Sequence, residues 1–224
     1  MKTGRLTSIL YLWLHLFILI TCMGCFKNIP IKKVVYETDF KDYKRPDIEI
    51  YNILGKIDSP MVIVFNGTTL LGRFNNNLVT LSVDLLPEHN AIHIQFDLYI
   101  HDKWEGSHLD PITKIPDVWQ LKIDQVPIMI RTFSNTTYLQ SFPDDYNPIL
   151  TQNPPHSDAW ALLPGVCALS DKSDGTSLYK IDYITSHTGQ KISLAMNDAL
   201  QPFNQPCNKS WSIGNILITA VKYQ

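Results

Sequence analysis

Residues 92–106 read IHIQFDLYIHDKWEG, and this stretch decides the fold. From Ile92 to Ile100 every second residue is apolar, whereas the residues between them carry polar groups. A period of two residues is typical of a β-strand that buries one of its faces. The polar run from Asp102 to Gly106 then predicts a loop at the end of this strand.

Shorter stretches with strand character recur along the chain and are separated by Gly, Pro and Asn residues. They lie at residues 61–65, 79–85, 119–123, 126–130, 178–184, 192–196 and 213–221. No stretch has the 3.6-residue periodicity of an amphipathic helix. Many short strands with turn residues between them predict an all-β fold, an antiparallel β-sandwich that is jelly-roll-like.

Composition and net charge bound the number of domains and exclude one class of partner. The chain has 224 residues, of which 45% are hydrophobic, and its formal net charge is −2. This length supports one well-filled core. Because Lys and Arg residues form no cluster, we expect no nucleic-acid partner. We predict a single domain over residues 51–224, preceded by a polar, weakly patterned tether at residues 26–50.

The N-terminus has the features of a targeting segment. Lys2 and Arg5 make its start positive, and the apolar run ILYLWLHLFILI follows at residues 9–20. This run is shorter than the roughly 20 residues that are needed to span a bilayer. A positive start before a short apolar run predicts a segment for export that is not part of the folded domain.

The end of this segment, residues 21–25 (TCMGC), resembles the signal of bacterial lipoproteins. In that signal a small residue precedes the cysteine that becomes lipidated. Cys25 follows Gly24 and fits the pattern, whereas Cys22 follows a threonine and is a second candidate. The resemblance implies that residues 1–25 are a lipoprotein signal. It also implies lipid anchoring in the cell envelope, at the bacterial outer membrane or cell surface, with a secreted protein as the alternative.

Two cysteines remain after the targeting segment, Cys167 and Cys207. An exported protein enters a compartment that permits oxidation. We therefore predict a disulfide between them, with two buried free thiols as the alternative.

The loop after the long strand is the one place where the sequence points to chemistry. Asp102 and Glu105 in the loop, with Asp117 beyond it, are candidate metal ligands for calcium, which binds six to eight oxygen atoms. A solvated acidic loop whose residues only make turns is the alternative. Trp104 is the candidate ligand-binding residue, because an exposed indole can stack on a sugar ring, although packing in the core is the commoner role. No zinc motif, nucleophile elbow or phosphate-binding loop is present.

Two motifs resemble a family of extracellular bacterial β-sandwich modules of a jelly-roll, lectin-like kind. They are FDLYI with DKWEG at residues 96–106, and NKSWSIGNI at residues 208–216. In the family the loop typically reads Asp-Ser-Trp-Asp-Gly and the closing strand Asp-Glu-Ser-Trp-Gly-(Leu/Ile)-Asp-Asn-Val. The resemblance covers residues 60–222 and implies a β-sandwich found in secreted and surface-anchored proteins. Lys209 stands where the family has glutamate, and Asn208 and Gly214 where it has aspartate, so any cation contribution of those acids is lost.

These features predict a membrane-tethered, extracytoplasmic binding or adhesion module rather than an enzyme. The expected partner is a carbohydrate or a cell-surface protein. A polysaccharide-active hydrolase is one alternative, because a jelly roll can hold two carboxylates about 5–10 Å apart across a cleft. Asp97 with Asp102, or Asp144 with Asp145, would be those carboxylates. A structural surface lipoprotein without catalytic activity is the other alternative.

Overall fold

The computed structural model describes residues 29–42, 47–59, 61–150, 152–203 and 205–223. Thirteen β-strands and no helix are found in these ranges. The strands are β1 (Ile31–Thr38), β2 (Ile48–Asn52), β3 (Gly55–Ile57), β4 (Val62–Phe65), β5 (Thr68–Phe74), β6 (Leu78–Asp84), β7 (Ala91–Asp102), β8 (Val118–Ile123), β9 (Val126–Thr132), β10 (Ala161–Leu163), β11 (Thr176–Ser186), β12 (Lys191–Ala199) and β13 (Lys209–Lys222). The predicted targeting segment, with Cys22 and Cys25, lies outside the described residues.

The strands form two sheets, and every pairing in them is antiparallel. Sheet A has the order β10-β11-β7-β13-β5-β4, with β1 also paired to β13, and sheet B has the order β3-β2-β6-β12-β8-β9. The prediction of an all-β antiparallel sandwich is confirmed. No helix within the described ranges is long and apolar enough to cross a bilayer.

The last strand organises sheet A because it is long enough to pair with two strands along one edge. Its residues Trp211–Ile213 pair with β5, and Ile216–Lys222 pair with β1. The other edge of β13 pairs with β7 along nearly the whole length of β13. β7 and β13 are therefore the central strands of this sheet, and the acidic loop follows the end of β7.

The tether predicted at residues 26–50 needs correction, because much of it belongs to the sandwich. Residues Ile31–Thr38 form β1, and Phe40 is buried in the core. Most side chains of β1 are exposed. A strand that is held mainly by backbone pairing to β13 shows little hydrophobic alternation, and this is why the sequence pattern did not reveal it.

The core lies between the two sheets and is filled by side chains that alternate along the strands. On β7 the residues Ile92, Ile94, Phe96, Leu98 and Ile100 all face this core. Their alternate neighbours, including Asp97 and Tyr99, therefore lie on the outer face of sheet A.

Candidate functional site

The predicted acidic loop is built around a lysine rather than around an open cation site. Lys209 Nζ donates to Glu105 Oε2 at 2.6 Å and lies 2.9 Å from Asp117 Oδ2. The amide of Glu105 donates to the same Asp117 oxygen at 2.6 Å. Lys209 and Asp117 are buried, whereas the Glu105 side chain reaches solvent. The ammonium thus occupies the position between two of the three predicted calcium ligands.

The electrostatics of this cluster follow from its burial. Burial raises the pKa of Asp117 to about 6, although Lys209 and the Glu105 amide favour the charged form. Burial alone would lower the pKa of Lys209, but attraction to Asp117 and Glu105 outweighs it, so this pKa is raised. The lysine therefore stays charged and acts as the counter-ion of the buried carboxylate.

The third predicted calcium ligand, Asp102, points away from this cluster. It is fully buried, and its Oδ1 accepts backbone N–H groups from Val166, Cys167 and Leu169 at 3.2, 2.9 and 3.0 Å. The ligand set predicted from the sequence is therefore not assembled. Across the described ranges, no group of three or more His, Cys, Asp or Glu residues is arranged to hold a metal ion.

The loop that Asp102 organises is also held by a disulfide. Cys167 and Cys207 are joined, with their Cα atoms 5.1 Å apart. The amide of Ala168 donates to the carbonyl of Cys207 at 3.1 Å. The disulfide therefore links this loop to the segment that leads into β13, next to Lys209.

Trp104 is not available to a ligand, which corrects the prediction for this residue. Its exposed fraction is 0%, and its Nε1–H donates to the carbonyl of Ser210 at 2.8 Å. Its ring packs edge-on against Phe133. The loop turns its tryptophan into the sandwich because burial of an indole with a satisfied N–H is strongly favourable.

A different tryptophan, Trp160, is exposed on sheet A, with 72% of its surface in solvent. It immediately precedes β10, and its amide donates to the carbonyl of Leu178 at 2.7 Å. Lys180 Nζ lies 6.0 Å from the centre of the indole ring. The sequence left the role of this residue open because it stands in an irregular segment without alternation. The one sequence feature that indicated an exposed position for Trp160 was the Pro-rich stretch before it, at residues 152–157.

Polar groups stand next to Trp160 on the same face. Lys180 Nζ contacts Asp97 Oδ1 at 2.6 Å, and Asn215 Nδ2 donates to Asp97 Oδ2 at 2.7 Å. Asp97 is buried beneath these two side chains, while Asn215 is exposed and half of the Lys180 side chain reaches solvent. We call Trp160, Lys180, Asp97 and Asn215 the outer-face cluster. It combines an aromatic plane with an ammonium group, a carboxylate and an amide.

The carboxylates considered for hydrolysis are engaged in other contacts. Asp97 belongs to the outer-face cluster, and Asp102 is buried against the backbone of the 166–169 loop. Asp144 accepts from Asn153 at 3.1 Å, and Asp145 contacts Arg131. None of these contacts pairs two carboxylates across a cleft.

Comparison with known proteins identifies no family. No protein-family model and no curated protein sequence matches the chain. Similar solved structures include a family 35 carbohydrate-binding module from Clostridium thermocellum (6% identity, 85% of this chain and 97% of the other, TM-score 0.37). They also include the K3 adhesin domain of Lys-gingipain from Porphyromonas gingivalis (10%, 84% and 99%, TM-score 0.37). Basic winged bean lectin bound to Tn-antigen is a third (8%, 87% and 99%, TM-score 0.34). These TM-scores are too low to assign a function to this chain.

Proposed function

We propose that this chain is a non-catalytic, extracytoplasmic module that binds carbohydrate on the outer face of sheet A. The observation that carries the proposal is the exposure of Trp160 beside the polar groups of the outer-face cluster. A buried tryptophan removes about 150–250 Å² from water. At about 25 cal/mol per Å², leaving most of that area exposed forgoes several kcal/mol of stability.

The chemistry of the cluster matches that of a sugar. A pyranose ring has an apolar face of C–H groups, which packs on an indole plane, and a rim of hydroxyls, which both donate and accept hydrogen bonds. Lys180 and Asn215 supply donors, and Asp97 supplies an acceptor. Because these polar groups bond to one another already, a ligand is expected to exchange those contacts for hydroxyls of similar geometry.

The binding test uses the full chain, purified in a detergent that has no sugar headgroup, on a glycan array. We expect Trp160→Ala to weaken binding to the recognised glycan about 10- to 100-fold, which corresponds to about 1.4–2.8 kcal/mol for a lost stacking contact. Its melting temperature should stay close to that of the wild type, because the side chain is exposed. Phe203→Ala, which truncates another partly exposed aromatic, is the matched control and should bind normally.

Two results would overturn the proposal. Glycan binding that survives Trp160→Ala, Lys180→Met and Asn215→Ala would place recognition elsewhere on the protein. Absence of binding to any glycan would favour the structural role instead.

Membrane tethering is the second part of the proposal, and it rests on the sequence near Cys25. Metabolic labelling with a fatty acid in a bacterial host tests it. We expect label on the wild-type chain and its loss in Cys25→Ser, whereas loss in Cys22→Ser alone would assign the lipid to the other cysteine. Such a protein would be held at the cell envelope, where a surface glycan is accessible.

A further inference from the structure

Two histidines with largely buried side chains meet at the end of the sandwich where β7 begins, far from the Lys209 cluster at the end of β7. They come from the loop between β6 and β7 and the loop between β11 and β12. The loops are joined by backbone bonds, from Leu86 N–H to the Gln190 carbonyl at 2.9 Å and from His187 N–H to the Asn90 carbonyl at 3.2 Å. These bonds bring together His89 and His187, which are 98 positions apart in the sequence.

The two imidazoles face each other through one nitrogen each. His89 Nε2 lies 2.7 Å from His187 Nδ1. The rings are inclined by only 12°, and their centres are 5.0 Å apart. The 5.0 Å separation is about the largest that a 2.7 Å N···N contact allows, so both nitrogens lie close to the line between the ring centres and their lone pairs point at each other.

The outer nitrogen of each ring is held by a group that can only accept a hydrogen bond. His89 Nδ1 lies 2.6 Å from the carbonyl oxygen of Pro87, and His187 Nε2 lies 3.1 Å from Asp124 Oδ2. Both outer nitrogens must therefore carry hydrogen. A neutral imidazole has only one N–H, so in the neutral pair both inner nitrogens are bare. Two bare lone pairs at 2.7 Å repel each other unless a cation lies between them.

We propose that His89 and His187 form a binding site for a divalent first-row transition metal ion such as Zn²⁺. Metal-binding histidines characteristically donate their other N–H to a carboxylate or a backbone carbonyl, which orients the ring. Asp124 and Pro87 fill these two positions. Neutral imidazole is a preferred ligand for such ions, and the ion satisfies both inner nitrogens without an extra proton. The negative charge of Asp124 adds to the attraction.

Both rings must move to bind the ion. Zinc lies about 2.0–2.1 Å from histidine nitrogens in a tetrahedral arrangement, which sets the N···N distance at about 3.3 Å. The two nitrogens would separate by about 0.6 Å, and each ring would turn by about 35° so that its lone pair points at the ion instead of at the other ring. Both histidines stand on loops rather than on paired strands. Water would complete the coordination, because the described residues around the pair supply no third histidine, cysteine or carboxylate ligand group.

The test measures binding of Zn²⁺ alone to the chelator-treated full chain at pH 7.5 by calorimetry. We expect one saturable ion per chain, and at least tenfold weaker binding in both His89→Gln and His187→Gln. Asp124→Asn should weaken it about 10- to 100-fold as well. His93→Gln is the matched control, because His93 contacts a carboxylate, Asp182, at 2.7 Å but faces no second imidazole.

A second measurement does not depend on whether the variants fold. Cu²⁺ bound to the wild-type chain should give an electron paramagnetic resonance spectrum with coupling to two nitrogen nuclei. Absence of saturable Zn²⁺ binding, or a Cu²⁺ spectrum without nitrogen coupling, would overturn the proposal. Either result would mean that the cation between the rings is a proton. Glycan binding at the outer-face cluster is independent of this site and should not change in these variants.

Discussion

Replacing Lys209 by methionine tests how much the buried ion cluster contributes to stability. Methionine keeps the length and the apolar stem of lysine but removes the ammonium that contacts Glu105 and Asp117 at 2.6 and 2.9 Å. Because Asp117 is 4% exposed, water cannot replace the lost partner. The variant therefore leaves a carboxylate buried with only the Glu105 amide as a donor.

Removing one partner of a buried pair costs about 3–5 kcal/mol, because the remaining charge is uncompensated. For a domain of this size, each kcal/mol shifts the melting temperature by about 2–4 °C. We therefore expect the melting temperature of Lys209→Met at pH 7.5 to fall by about 10 °C. Replacing the carboxylate as well, in Lys209→Met with Asp117→Asn, should recover part of this loss because no buried charge remains.

The loss should also depend on pH. The pKa of Asp117 is raised to about 6 by burial. At pH 5 this carboxyl is protonated in the wild type and in the variant, so the difference in stability between them should shrink. Urea unfolding of the full chain, followed by tryptophan fluorescence at pH 5 and pH 7.5, measures both effects.

The matched control is Lys191→Met, which removes an exposed ion pair with Asp84 at 3.3 Å. An exposed pair contributes about 0–1 kcal/mol. A loss of stability in Lys209→Met no larger than that of this control at pH 7.5 would mean that the buried cluster does not stabilise the fold.

Three further results are expected. Burial raises the pKa of both Asp117 and Asp198 to about 6. Because these folded-state pKa values lie above the unfolded ones, the stability that the two groups contribute is greatest below about pH 4 and is lost as the pH rises through about 6. The melting temperature should therefore fall between about pH 4 and 6.5, and Asp198→Asn should make this fall less steep. Millimolar calcium should raise the melting temperature of Lys209→Gln but not of the wild type, because the Lys209 ammonium of the wild type lies between the Glu105 and Asp117 carboxylates. A rise in the melting temperature of the wild type would instead support the calcium site predicted from the sequence. Replacing Cys167 and Cys207 together by serine opens a loop with a sequence separation of 40. The unfolding free energy, measured under non-reducing conditions, should fall by about 4 kcal/mol. An unchanged unfolding free energy would contradict the Cys167–Cys207 disulfide.

The alternation from Ile92 to Ile100 was sufficient to predict the central strand and which of its faces is buried. It succeeded because the side chains of a strand point alternately to opposite faces, whatever the strand pairs with. The strand at Ile31–Thr38 was missed because its contribution is backbone pairing, which leaves no periodic mark on the side chains. Trp160 was likewise left open, because exposure in an irregular segment has no sequence signature.

By itself, the sequence determined the class of fold, the pair of cysteines in the body of the chain and the position of the acidic loop. Each of these follows from local spacing or from counting residues. Only the tertiary structure decided which groups meet: Lys209 reaches Glu105 across 104 positions, and His187 reaches His89 across 98. It also buried Trp104 and exposed Trp160. The physical reason is that periodicity acts within one strand, whereas partners and burial depend on how distant strands are ordered and registered in the two sheets.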